Sequence, residues 1–264
     1  MKQRLVTGVL AGALFLGLMI LGGHYYAALI IVMAIIAMFE FSRMNHLSWN
    51  NPLHIAALLG LLALVIPFES YGVSWIQDTA IIWLLMFVLL ALTVLTKNKV
   101  TINEAALTFL GTVYLGIGFA AMIDVRLMEE YALWWSFIAF CSIWASDIGA
   151  YFFGRAFGKR KLWPLISPNK TIEGAIGGII SSIIVAILFA VIAPDFIELW
   201  RAIVLGLVAA IAGQLGDLMQ SAYKRVRGIK DMSNLLPGHG GIIDRTDSWI
   251  IVFPILVLTQ LIPV

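Results

Sequence analysis

Apolar residues fill this chain in long runs, broken by short polar stretches. Runs of spanning length fall at about Leu5–Leu21, Tyr25–Phe41, Leu53–Pro67, Thr79–Thr96, Ala105–Ile123, Ala132–Tyr151, Ile172–Ala193, Ala202–Ala222 and Ser248–Val264. A hydrocarbon core about 30 Å thick takes about 20 apolar residues as a helix. Backbone polar groups in lipid must be satisfied within the segment itself. The pattern therefore predicts an all-α, polytopic transmembrane helix bundle of about nine spans. The third run is the shortest, because Pro67 ends it early. No repeat, low-complexity tract or linker interrupts the series, so 1–264 reads as a single membrane domain. Residues 1–131 offer little chemical signal, and 132–264 carry the polar stretches that do. The opening basic tip and apolar stretch reads as a retained first span, since no small-x-small cleavage site follows it.

Composition agrees: 61% hydrophobic against 12% charged excludes an ordinary soluble domain. The single cysteine, Cys141, excludes an intrachain disulfide framework and a cysteine-based zinc site. Charge placement gives the orientation. With the N-terminus in the cytoplasm, all of the 17 Lys and Arg except Arg126 and Arg201 fall on inside segments. That is a strong positive-inside bias, and an odd number of spans then leaves the C-terminus outside. In the first half, Glu40 reads as a partner to Arg43 or to a lipid headgroup rather than as a catalytic group. His24, His46 and His54 read as interfacial polar residues.

Two polar stretches stand out. The first is Gly216–Asp247, which holds five basic and four acidic residues between two apolar runs. Ionisable groups at a bilayer boundary are costly and mark functional sites. On a helix, Asp217, Ser221 and Lys224 would share one face. A basic cluster follows (Lys224, Arg225, Arg227, Lys230), then Pro-Gly-His-Gly-Gly, then Asp244 and Asp247 spaced to show both carboxylates to one side. Carboxylates without soft ligands favour a hard cation such as Mg²⁺, which commonly works with substrate phosphates. Lys and Arg supply the counter-charge. Gly240 and Gly241 beside His239 let the backbone turn tightly and approach a ligand.

The second stretch is Ser146–Gly174. Asp147, Tyr151 and Gly154 would share a helical face near the end of the sixth run. Lys159, Arg160 and Lys161 follow, then Ser167-Pro-Asn-Lys-Thr ahead of the seventh. Ser167 or Asn169 is positioned to cap that next helix, whose N-terminus favours an anion beside Lys170. Both stretches fall on the same, cytoplasmic, side. Together they describe a phosphoryl- or nucleotidyl-transfer site at the cytoplasmic face of a membrane.

The run S-x-x-K-R-x₄-K-D-x-S-x-x-L-P-x-H-G-G-I-x-D-R-x-D, from Ser221 to Asp247, resembles the signature of the phosphatidate cytidylyltransferases, or CDP-diacylglycerol synthases. Ser221, Lys224, Arg225, Lys230, Asp231, His239, Asp244, Arg245 and Asp247 fill its polar positions. Tyr223 departs from the aliphatic residue or Phe usual there. Segments S-D-x-x-A-Y-x-x-G and S-P-x-K-T-x-E-G upstream are similar too, so the resemblance is strongest from Asp147 to Asp247. It implies transfer of CMP from CTP to phosphatidic acid, giving CDP-diacylglycerol and pyrophosphate for phospholipid synthesis in the cytoplasmic membrane. It further implies Mg²⁺ on Asp217 and Asp244, with Asp147 and Asp247 nearby and room for a second cation. Lys170, Lys224, Arg225, Lys230 and Arg245 would hold the triphosphate and the lipid phosphate, and His239 would position phosphate. The resemblance is compatible with a homodimer, and no nucleic-acid partner is expected. Three alternatives compete. A transporter of anionic lipid would show repeated broken helices, but the charges here crowd one face. A CDP-alcohol phosphotransferase would need a D-G-x-x-A-R run, which is absent. A CTP-dependent lipid kinase would share the nucleotide chemistry but move the γ-phosphate.

Overall fold

The computed structural model describes residues 2–264 except 74–76, 236, 237 and 239, with side chains from Val6 onward. Helices dominate: α1 (Lys2–Leu21), α2 (Gly23–Met44), α3 (Pro52–Val65), α4 (Asp78–Leu95), α5 (Ile102–Leu127), α6 (Ala132–Phe157), α7 (Ile172–Ile192), α8 (Leu199–Val226), α9 (Ile243–Thr246) and α10 (Trp249–Leu258). A two-stranded hairpin, β1 (Lys161–Trp163) and β2 (Ser167–Thr171), joins α6 to α7.

Among the described residues, six helices are long and apolar enough to cross a membrane: α2, α4, α5, α6, α7 and α8. Shorter apolar helices occupy the places of the expected first, third and last spans. The 14 residues of α3 reach only about 21 Å at 1.5 Å per residue, short of a bilayer core. The final run was expected to continue to Val264, but α10 stops at Leu258 and carries Pro254 in its interior.

The helix starts follow local chemistry. Asn51 caps α3 by accepting the Leu53 N–H (2.9 Å), with Pro52 in the first turn. Thr101 and Glu104 form a reciprocal capping box at α5: the Thr101 N–H donates to Glu104 Oε2 (2.8 Å) and the Glu104 N–H to Thr101 Oγ1 (3.2 Å). For α7 the cap is Thr171, whose Oγ1 accepts the Gly174 N–H at 3.1 Å. That corrects the expectation of Ser167 or Asn169, both of which lie in β2. The strand pairs antiparallel with β1, Lys161 opposite Thr171 and Trp163 opposite Ser167, so the backbone stays extended until Thr171.

Two compact units result: Met1–Leu127 with Met232–Ile243, and Met128–Asp231 with Asp244–Val264. In the first, α2, α3 and α4 all pack on α5. His54, in the first turn of α3, is buried, 2% exposed, with Nδ1 2.7 Å from Ser42 Oγ. Arg126 donates to the carbonyls of Met19 and Ile20 and so completes the C-terminus of α1. In the second unit α6 packs on α7, α7 on α8, and α8 on α10. Glycine permits the first of these approaches: a Cβ on Gly177 would lie 2.3 Å from the Phe153 side chain. Arg201 donates to the Gln260 and Leu261 carbonyls beyond α10, with its guanidinium 5.3 Å from the Trp135 ring. Arg126 and Arg201, the two exceptions to the charge asymmetry, are thus both consumed by backbone carbonyls.

Candidate active site

The second unit encloses a cavity of about 610 Å³. Asp147, Tyr151 and Gly154 reach it from one face of α6, as their spacing predicts. The hairpin contributes Asn169, Lys170 and Thr171, and α8 contributes Gln214, Asp217 and Lys224. Asp231 follows α8, and Asp244, Arg245 and Asp247 come from α9 and the residue beyond it. Five carboxylates and four cations, Arg155 included, thus line one space.

Two ion pairs order these charges. Lys224 Nζ lies 2.6 Å from Asp244 Oδ1, with side chains only 10% and 3% exposed. Lys170 Nζ lies 2.6 Å from Asp217 Oδ2 in a wetter position. Ser221 donates to Asp217 Oδ1 (3.2 Å), so the i, i+4 face of α8 is used as read. Gln214 fixes the floor, donating from Nε2 to the Ala175 carbonyl (3.1 Å) and Ser146 Oγ (3.3 Å).

Asp247 is the strained member. Burial, then the charge of Asp217, push its carboxyl from an ordinary 3.8 up to about 7, against a hydrogen bond from the Ser248 N–H. Asp147 adds to the same repulsion. Carboxylates that repel one another across a cavity suit a bound cation, which reverses the local electrostatics. The donors are all hard oxygens, as Mg²⁺ requires. Among the described residues no three His, Cys, Asp or Glu converge as a finished ligand cage. Mg²⁺ usually takes only one or two carboxylates, completing its shell with water and substrate phosphate. By that measure the residues fit the ion.

Other expected site residues lie elsewhere. Arg225 is exposed and donates to the Ile166 and Ile229 carbonyls, tying the hairpin turn to the end of α8. Lys230 is exposed and Ser167 sits within the hairpin; neither lines the cavity. Gly240 and Gly241 belong to the first unit, and Gly240 has the left-handed backbone (φ 80°) expected of a tight turn. His239 lies outside the described residues. Arg155, Thr171 and Gln214 line the cavity without having been singled out. Gln214 had a legible signal, a lone amide in an apolar run three residues before Asp217. Glu40 does not pair with Arg43 as expected: its carboxylate accepts from Ser233 and from the backbone of Ile242 and Ile243.

The charged residues of this cavity come largely from the two stretches that carry the resemblance. Comparison with known proteins extends the likeness over nearly the whole chain. The model of the cytidylyltransferase family matches residues 2–262. A phosphatidate cytidylyltransferase of Bacillus subtilis (strain 168) is 42% identical over 261 residues, covering 97% of this chain and 96% of that protein. Proteins of the same name from Staphylococcus saprophyticus and Staphylococcus haemolyticus are 39% and 40% identical over 258 residues, each comparison covering 97% of both chains. Likeness of that extent leaves no part of the helix bundle unaccounted for, and the chain belongs to the cytidylyltransferase family.

Proposed function

We propose that this membrane protein transfers CMP from CTP to phosphatidic acid, releasing pyrophosphate and forming CDP-diacylglycerol for phospholipid synthesis. The relatives are named for that activity. The observation that carries it to this chain is the cavity, where acidic and basic groups from α6, β2, α8 and α9 and from the residues after α8 and α9 meet. An oxygen of the lipid phosphate attacks the α-phosphorus of CTP, and the bond to the β-phosphate oxygen breaks. Both reactants are anionic, so neutralisation and alignment account for most of the acceleration. No strong base is needed, because a phosphate monoester is already ionised near neutral pH.

Lys170, Lys224 and Arg245 are the cations we assign to the phosphates, with Arg155 at the edge of the cavity. Asp217 and Asp244 are the residues we assign to Mg²⁺, and Asp147 and Asp247, which line the same cavity, are those we assign to orienting it or to a second cation. Bound there, the metal supplies charge neutralisation for the triphosphate and its leaving group. The lysine partners of Asp217 and Asp244 suit this role: an ammonium that leaves a carboxylate for a phosphate frees that carboxylate for the cation. The charge asymmetry supports the cytoplasmic membrane, with the N-terminus and the cavity at the cytoplasmic face. CTP and phosphatidic acid are the partners in this reading, and nucleic acid is not.

The test is the label carried into lipid by purified protein in detergent with phosphatidic acid and Mg²⁺. Label from the α-position of CTP should enter a liponucleotide, and label from the γ-position should leave as pyrophosphate. A γ-label in lipid would replace this reading with a lipid kinase. Loss of product on chelation, restored by Mg²⁺, is the expected metal dependence.

A further inference from the structure

Glu40 sits near the end of α2 and is 5% exposed. A carboxylate in an apolar helix is costly unless donors surround it. Here three do. Oε1 accepts from Ser233 Oγ at 2.6 Å and from the Ile242 N–H at 3.0 Å, and Oε2 accepts from the Ile243 N–H at 3.0 Å. A Cβ on Gly241 would lie 2.3 Å from Oε1, so the chain can wrap the carboxylate this closely only with glycine there. Every one of these residues lies in Met232–Ile243, about 200 positions from Glu40 in the chain.

That segment is the central part of the signature run, and Ile243 is both the first residue of α9 and the direct chain neighbour of Asp244. We propose that Glu40 is a positioning residue of the transfer reaction: its carboxylate holds Ser233 and the Ile242–Ile243 backbone and so fixes the chain where it leads directly into Asp244. The inference rests on the CMP-transfer reading. Holding the ends of a loop together costs conformational entropy, which these bonds offset. Three hydrogen bonds to one charge hold it more firmly than neutral ones would. Glutamine cannot replace the group, because a carboxamide offers one acceptor oxygen and one donor nitrogen. At least one of the Ile242 and Ile243 N–H groups would then face another donor or lose its partner.

The experiment compares wild type, Glu40→Gln, Glu40→Asp and Gly241→Ala in detergent, each normalised to folded, monodisperse protein. Kinetics of CMP transfer and hydrogen–deuterium exchange across 232–243 are measured on the same samples. In Glu40→Gln, kcat should fall about tenfold or more, because small misplacements of reacting groups are costly, while KM for CTP stays within about threefold. Exchange should rise at Ile242 and Ile243. Glu40→Asp should restore part of both, and Gly241→Ala should reproduce the glutamine phenotype by displacing an intact carboxylate. Unchanged exchange overturns the clasp. Faster exchange with kcat within about twofold of wild type overturns the positioning role, as does a lower folded yield with unchanged kcat. If the wild-type protein itself forms no liponucleotide, the assigned reaction fails instead, and the exchange data still decide whether Glu40 holds the loop.

Discussion

Lys224 and Asp244 approach to 2.6 Å with both side chains nearly out of water. Removing one partner of such a pair strands the other, and the usual cost is about 3–5 kcal/mol. Lys224→Met should therefore lower stability by about that amount, and the double variant with Asp244→Asn should recover most of it. Thermal unfolding in detergent reads both. Asp247 gives a pH signature of opposite kind. Its carboxyl is raised from 3.8 to about 7, so between those values the folded protein holds a proton that the unfolded chain releases. Folding stability then falls as pH rises through that window. Asp247→Asn removes this contribution. The melting temperature of the variant minus that of wild type should increase from pH 4 to pH 7, and a flat difference would contradict the assignment.

At the scale of elements, the charged stretches were legible because lipid makes polar residues conspicuous. The faces Asp147–Tyr151–Gly154 and Asp217–Ser221–Lys224 follow from helical spacing alone, and the cavity uses both. The β1–β2 hairpin was not legible: three and five residues, one of them Pro168, give too little alternation to mark strands. Its presence moved the cap of α7 from Ser167 or Asn169 to Thr171. Thr171→Ala should cost about 1 kcal/mol, read by unfolding, whereas Ser167→Ala should cost much less. Glu40 was misread for a different reason. A lone carboxylate in an apolar run suggests a nearby cation, and Arg43 is the closest in sequence, but its donors arrive from some 200 residues away. The early end of the third run was legible in Pro67, whereas hydropathy does not show that α10 stops at Leu258 with Pro254 in its interior.

For the whole molecule, the six helices long and apolar enough to cross a membrane among the described residues, the family match and the charged cavity of the second unit converge on an enzyme that works on a membrane lipid, and the charge asymmetry predicts that it does so from the cytoplasmic side. With Cys141 replaced, single cysteines at Lys97, Lys159 and Lys230 should resist an impermeant thiol reagent in intact cells, and cysteines at Glu129 and Asp195 should react. The reverse pattern would invert the orientation. The most direct test of the central claim is liponucleotide formation from CTP and phosphatidic acid by purified protein and by its folded Asp217→Asn and Asp244→Asn variants. The account predicts Mg²⁺-dependent CDP-diacylglycerol from wild type and a loss of about a hundredfold or more in each variant, as when a group stabilising transition-state charge is removed. Product formed at wild-type rates by either variant would contradict it.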